Sequence, residues 1–354
     1  MKKRFSMLLA VAMVMSLVAC NGSKTAETTA EAVQAENGSE SSEAADGDGE
    51  AQELWAPEKT VDFIVPFNAG GSSDLLARVF ANQGSSYFDT EFVIINEGGG
   101  SCSIGLTDLI TREPDGYAVG ICNNGVPTLP LSMETPYVYK DELDAVCMWG
   151  IAPYVVVVNA DSEYQTLTDL MDAIKENPNS LVSGACSAGS NTHIEMEMLA
   201  YMVDSDIKSV IFDGGSSAIA ALLGNITDVT VQTPTDAAQY IESGDLRCVA
   251  VLAEERMTDE LFADLPTAIE QGYDLPSECF QGVGAPKGLP DEVIAYYEKC
   301  FSEALQDPAV VEAISNLGFE VHYENHEEYQ ARWDRTAEEF QTIVDTLGDR
   351  LVIS

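Results

Sequence analysis

The chain has 354 residues and carries 17 Lys and Arg against 59 Asp and Glu, a formal net charge of −42. That balance excludes binding to nucleic acid, whose backbone is met with Lys and Arg, and disfavours adhesion to anionic lipid. It leaves the sign of a small ligand open, because helix N-termini alone can make a pocket locally positive.

In chain order, the first element is Met1-Lys-Lys-Arg4, an apolar run from Phe5 to Ala19, and Leu17-Val-Ala-Cys20. A basic start, a short apolar core and small residues before a cleavage point make residues 1–19 a secretory signal peptide. The run is shorter than the roughly 20 residues of a membrane span. Cys20 stands where a lipobox places its cysteine and is read as the lipidation site; the other reading is an ordinary signal peptide with a chance Cys. The expected location is extracytoplasmic, with the chain anchored to the bacterial cell membrane as a lipoprotein.

From residue 21 to 53, Val33 is the only large apolar side chain. Such a segment cannot bury enough surface to offset the entropy of ordering, so 20–53 reads as a lipidated Cys followed by a disordered acidic linker. As a flexible coil it has an end-to-end distance of roughly 30 Å. The folded body starts at Leu54 and is long enough for two lobes. It holds 13 basic and 50 acidic residues, a net of −37.

The body alternates short apolar strands with amphipathic helices. Strands are predicted at Val61–Val65, Phe92–Ile95, Tyr117–Cys122, Val155–Val158, Val182–Gly184, Asp228–Gln232 and Leu246–Leu252. The four-valine run is expected to be a central parallel strand buried on both faces. Helices are predicted at 74–81, around Leu106, Leu109 and Ile110, behind Thr166 with Leu167, Leu170, Met171 and Ile174 on one face, through Leu199 and Met202, around Ile219, Leu222 and Leu223, and from Val293 to Leu305 with Pro290 in the first turn. This is α/β with largely parallel sheets. Of eight cysteines, seven remain after Cys20, an odd number. Cys122, Cys147 and Cys248 sit inside apolar runs, and no CxxC pair or zinc spacing occurs. Small buried hydrophobes are favoured over a disulfide framework.

Open α/β sheets bind ligands at strand C-termini, and four loops fit that position: Pro66–Asp74, Asn96–Ser101, Gly184–His193 and Phe212–Ser217. Each brings Gly and Ser, and three lead into helix starts, where the backbone approaches closely and unpaired N–H groups suit a carboxylate or phosphate. Turn chemistry alone accounts for any one of them; four from both halves of the body point to a site. Enzyme readings fare worse. No Gly-Lys-[Ser/Thr] follows any loop, and no dinucleotide fingerprint is present. Ala185-Cys-Ser-Ala-Gly189 approaches a nucleophile elbow around Ser187 but starts with Ala, and His193 reads as a first-turn helical residue. Asn325 with Glu328 forms a capping box that puts His326 at a helix start and His322 in a preceding strand, so the two share no face for a metal.

These loops, in order, resemble the extracytoplasmic solute receptors of tripartite tricarboxylate transporters, the TctC or Bug family. The residues that carry the resemblance are Ile64-Val-Pro-Phe67 with Ala69-Gly-Gly71 and Asp74, Asn96, Glu113-Pro-Asp-Gly-Tyr117, Gly189-Ser190 with His193, Leu223-Gly224 with Asp228, Ser243-Gly244 with Leu246-Arg247, Pro266-Thr267 with Glu270, Gly272-Tyr273, and Ala285-Pro-Lys-Gly288. The likeness spans Thr60 to Leu347. It implies a type II periplasmic-binding-protein fold, two α/β lobes joined by a hinge, with 54–157 plus 250–354 as lobe 1 and 158–249 as lobe 2. It implies a ligand carboxylate held by Phe67, Asn68, Ala69, Gly71, Ser72 and Asp74 from one lobe and by Ser187, Ala188, Ser190 and Thr192 from the other. Asn123, Asp213, Gly214 and Thr233 complete the candidate set.

Three departures from the family pattern stand out. Gly98-Gly-Gly-Ser-Cys102 replaces a Pro-Gly-Ala-Gly-Gly, Gly184-Ala-Cys-Ser187 replaces Gly-Ser-Ala-Gly, and Phe212-Asp213 replaces a frequent Tyr-Lys pair. Asp213 either favours a ligand bearing an amino group or points to solvent. The implied function is a monomeric, non-enzymatic receptor, without cofactor or metal, that passes a small organic acid to integral-membrane transporter subunits. Alternatives are a sensing receptor of the same fold feeding a two-component system, a receptor for an amino acid or amide, and a hydrolase using Ser187.

Overall fold

The computed structural model describes residues 55–351; the expected signal peptide, lipidation site Cys20 and linker lie outside the described residues. The first half of the fold runs β1 (Val61–Val65), α1 (Ser72–Asn82), β2 (Phe92–Asn96), α2 (Ser103–Thr111), β3 (Ala118–Asn123), α3 (Gly125–Ser132), α4 (Tyr139–Glu142) and β4 (Leu143–Asn159). The second runs α5 (Leu167–Glu176), β5 (Val182–Ala185), α6 (Asn191–Met202), β6 (Lys208–Ile211), α7 (Gly215–Leu223), β7 (Val229–Gln232), α8 (Pro234–Glu242) and β8 (Leu246–Leu252). The chain then returns through β9 (Glu278–Pro286), α9 (Asp291–Ala304), α10 (Pro308–Ser315), β10 (Glu320–Glu324) and α11 (His326–Leu347).

Strand order is β2-β1-β3-β9-β4-β7-β5-β6, with β8 and β10 also paired to β4. Pairing is parallel where helices cross between strands, in β1–β2, β1–β3, β5–β6 and β5–β7. It is antiparallel around β4, against β7, β8, β9 and β10. The valine run is therefore central and buried, as expected, but antiparallel to its neighbours. Burial on both faces follows from helices covering both sides of the sheet, and strand direction does not enter into it.

Strand β4 joins two sheet segments. Residues 143–153 pair with β9, and Tyr154–Asn159 pair with β8. Val251 of β8 bridges Thr267, and Phe262 packs with Val155, Val157, Leu222 and Cys248 of the second segment. Strand β9 then re-enters the first segment. The sequence places the exchanges near Val157 and Ala250; the change of pairing falls at Pro153/Tyr154 and between Leu252 and Glu278.

Local signals account for most boundaries. Thr166 and Asp169 form a reciprocal capping box at α5, whose buried face is Leu167, Leu170, Met171 and Ile174. Such a cap stabilises by about 1 kcal/mol, and each buried Leu or Ile by roughly 1.5–3 kcal/mol. Asn325 and Glu328 cap α11 in the same way, placing His326 at its first residue and His322 in β10. Pro290 sits at the N-cap of α9, one residue before the predicted first turn, with the helix following from Asp291. Helix α11 packs over α3 and β4, and Phe340 and Leu347 reach Ile194 of α6. All seven cysteines among the described residues are free, and six are buried. Burial pushes the thiols of Cys102, Cys186, Cys248 and Cys279 up to about 12, so each is held protonated.

Candidate functional site

The four Gly- and Ser-rich loops converge on one cavity of about 100 Å³ between the two sheet segments. The first leaves β1 and enters α1. Its geometry is set by Asp74, 2 % exposed, which accepts the Gly70 N–H at 2.8 Å, Asn96 Nδ2 at 3.0 Å and the Arg78 guanidinium. Burial alone would raise this carboxyl, yet the hydrogen bonds from Arg78, Gly70 and Asn96 hold it below the usual carboxylate range. Asp74 thus organises the loop from beneath. The first intrahelical bond of α1 runs from Leu75 N–H to Gly71 O, which makes the N–H groups of Ser72, Ser73 and Asp74 its first-turn donors.

The second loop reaches the cavity only through Ser101 and Cys102, both at positive φ (56° and 71°). Non-glycine residues in this left-handed region cost of order 1 kcal/mol each, and such strain clusters at functional sites. The third loop ends at Ser190, the N-cap of α6, and the fourth at Gly214, the N-cap of α7. Gly214 has φ +115° while its N–H is bonded to Cys186 O at 2.8 Å, a backbone that an L side chain rarely adopts.

Hydrogen bonds cross the cavity mouth from one segment to the other. Asn68 Nδ2 donates to Asp213 O at 2.9 Å, Ala188 N–H to Ser101 Oγ at 3.1 Å, and Ser132 Oγ to Gly189 O at 3.1 Å. The Ser72 N–H donates to Asp236 Oδ1 at 3.3 Å. The two segments are closed on each other.

Of the residues singled out from sequence, Phe67, Asn68, Gly71, Ser72, Asn123, Ser187, Ser190, Thr192, Gly214 and Thr233 line the cavity. Ala69 is exposed on the loop, Asp74 lies under it, and Ala188 contributes its N–H to the cross-cavity bond with Ser101. Asp213 is exposed, and its backbone carbonyl is the group that faces the other segment. Sequence reasoning passed over Gln232, Asp236, Gln281 and Tyr154, which also line the cavity. Asp236 was within reach of it: Thr233-Pro-Thr-Asp236 is one more helix start directly after a strand, with Thr233 at the N-cap.

No Lys, Arg or His is among the lining residues. The site's polarity comes from the starts of α1, α6, α7 and α8, from neutral side chains and from one carboxyl, that of Asp236. Ser187 finds no base: His193 Nδ1 accepts the Gly189 N–H at 3.2 Å, and its Nε2 faces Glu197 at 3.9 Å. Burial holds this imidazole down at about 4, so it is neutral. Among the described residues no group of three or more His, Cys, Asp or Glu could hold a metal ion, and no helix is long and apolar enough to cross a membrane.

Beside the cavity, Glu195 on α6 is 4 % exposed and accepts the Ser277 hydroxyl, at the point where the chain returns to the first segment. Burial raises its carboxyl to about 7, with hydrogen bonds from Ser277 and Asn191 opposing the rise. A folded-state pKa raised from 4.5 favours folding below the unfolded value, and the advantage is lost as pH rises through about 7. Glu195→Gln is therefore expected to raise the melting temperature at pH 8 and change it little near pH 4.5. Equal shifts at the two pH values would rule out the buried charge as the cause.

Comparison with known proteins places this architecture. The model of the tripartite tricarboxylate transporter family receptor matches residues 76–348. Protein BugT of Bordetella pertussis is 30% identical over 266 residues, covering 74% of this chain and 81% of that protein. The solved structure of the periplasmic binding protein BugD superposes with a TM-score of 0.77 at 27% identity, over 82% of this chain and 98% of that one. Rpa4515 of R. palustris, solved with adipate, superposes with a TM-score of 0.79 at 24% identity, over 82% of this chain and 98% of that one. The family is one of periplasmic solute-binding receptors, not enzymes. With its α/β segments closed over a cavity built from helix starts, and with the family match over most of its length, the chain belongs to the tripartite tricarboxylate transporter receptor family.

Proposed function

We propose that the chain is a lipid-anchored extracytoplasmic receptor that captures a small organic acid between its two sheet segments and delivers it to a tripartite membrane transporter. The observation that carries this reading is the convergence of four helix N-termini on a cavity without a basic side chain. A carboxylate there is met by backbone N–H groups and hydroxyls, each helix start contributing about 0.3–1 kcal/mol and up to ~2 kcal/mol where partly buried. The cavity's size, about 100 Å³, suits a ligand of a few carbons. Adipate in the R. palustris relative supports the class.

The two sheet segments are the proposed lobes, and closure bends the chain where β4 changes partners and along the return from β8 to β9. The bonds Asn68–Asp213 and Ser101–Ala188 then form only in the closed state, which couples capture to the shape a transporter recognises. Cys20 is the proposed anchor and 21–53 the tether.

The test is a thermal-shift screen of the full chain in mild detergent against mono-, di- and tricarboxylates, amino acids and amides. A ligand that binds the folded state alone raises the melting temperature by mass action. A shift with one or more carboxylate-bearing compounds is the expected result. A shift confined to compounds lacking a carboxylate, or none with any compound, would reject the reading.

A further inference from the structure

The cavity has a single formally charged side chain in its lining, Asp236, and no cation to meet it. Asp236 sits in the first turn of α8. Its Oδ2 accepts the Thr233 hydroxyl at 2.9 Å, and its Oδ1 accepts the Ser72 N–H from the opposite segment at 3.3 Å. It therefore occupies one of the first-turn donors of α1 that a ligand carboxylate would use. Packing holds it there: a Cβ on Gly215 would come within 2.6 Å of Asp236 Oδ2. Burial raises its carboxyl, and the bonds from Thr233 and Ser72 oppose that rise only in part. A carboxylate enclosed without a counter-charge is costly, and a purely anionic ligand beside it adds repulsion.

We propose that the ligand is an amino-bearing carboxylic acid, its carboxylate on the helix-start N–H groups and its ammonium on Asp236, which makes Asp236 the specificity-determining residue. This rests on the receptor reading above and names the ligand class of the same site. The ammonium supplies the missing counter-charge and frees the Ser72 N–H for the ligand's carboxylate. The departure at Asp213 noted in the sequence does not serve this role, because that side chain is exposed.

The experiment is calorimetric titration of the full chain with matched pairs: aspartate and succinate, glutamate and glutarate, 4-aminobutyrate and butyrate, alanine and propionate. The α- and ω-amino members separate the two placements of the ammonium. In at least one pair the amino member is expected to bind about tenfold or more tightly than its deaminated partner, as for a charge-assisted hydrogen bond. Asp236→Asn, which keeps the shape and an acceptor for Ser72, is expected to erase that preference, and Asp213→Asn to preserve it. Deaminated partners binding as well or better, or an unchanged preference in Asp236→Asn, would overturn the proposal while the organic-acid reading stands. No binding by either member of any pair would also overturn the proposal, while the organic-acid reading is decided separately by the broader thermal-shift screen. Should Asp236→Asn fail to fold, the wild-type pairs alone decide.

Discussion

Gly71→Trp is expected to lower ligand affinity by about a hundredfold or more, through steric exclusion from the cavity, with the fold retained. Gly71 precedes α1 with φ −85° and ψ 172°, a conformation open to any residue, so the substitution strains no backbone. A Cβ there would find its nearest neighbours, Asn68 O and Asp236 Oδ1, at 3.9 Å, in ordinary contact and facing the cavity. An indole extended from that point fills the space where the two segments meet. Gly71→Ala adds only the tolerated Cβ and is expected to bind within a few-fold of wild type. Calorimetry with the ligand found by thermal shift, alongside circular dichroism to check folding, separates the two. A folded Gly71→Trp chain with normal affinity would move the binding site elsewhere. Ser190→Trp approaches the cavity from the opposite segment and serves as an independent repeat.

The largest effect on stability is expected at Trp149. Its side chain lies fully buried in β4 between the rings of Phe80, Phe301 and Phe63, at centroid distances of 4.5, 5.3 and 6.2 Å. Trp149→Ala removes the indole and leaves a cavity among aromatic side chains, at a cost of about 3–5 kcal/mol. Trp149→Phe is expected to cost under ~1.5 kcal/mol. The indole Nε1 has no hydrogen-bond partner, so losing that N–H removes an unsatisfied buried donor and offsets part of the lost contact. Urea unfolding of the three chains measures both differences. Equal losses for Ala and Phe would show that a phenyl ring recovers none of the indole's packing and that removing the unpaired N–H offsets nothing.

Much of the fold was legible because its elements carry simple periodic signals. β1 and β8 start and end where the apolar runs start and end, and the capping residues Thr166 and Asn325 mark their helices. Strand β9 was missed because Gly282 and Gly284 interrupt its pattern. Those glycines are required by its central place between β3 and β4: a Cβ on Gly282 would lie 2.5 Å from Cys147 O and 2.6 Å from the Tyr329 ring, and one on Gly284 2.6 Å from Cys122 Sγ. The short helix α3 was missed for a different reason, Pro127 in its first turn and Pro130 inside it.

The sequence by itself determined the four loops that line the cavity, since a Gly- and Ser-rich turn after a strand and before a helix has few physical uses, and it pointed to the receptor family. It also determined most strand and helix positions, which follow from local periodicity. Only the tertiary structure decided that β4 runs antiparallel at the junction of the two segments, that Asp213 faces solvent and that Asp236 enters the cavity. These outcomes depend on which elements meet across the cleft. Asp213 and Asp236 are equally acidic in the sequence, and the packing of α8 against the starts of α1 and α7 is what holds one of them half-buried in the cavity lining and leaves the other in water.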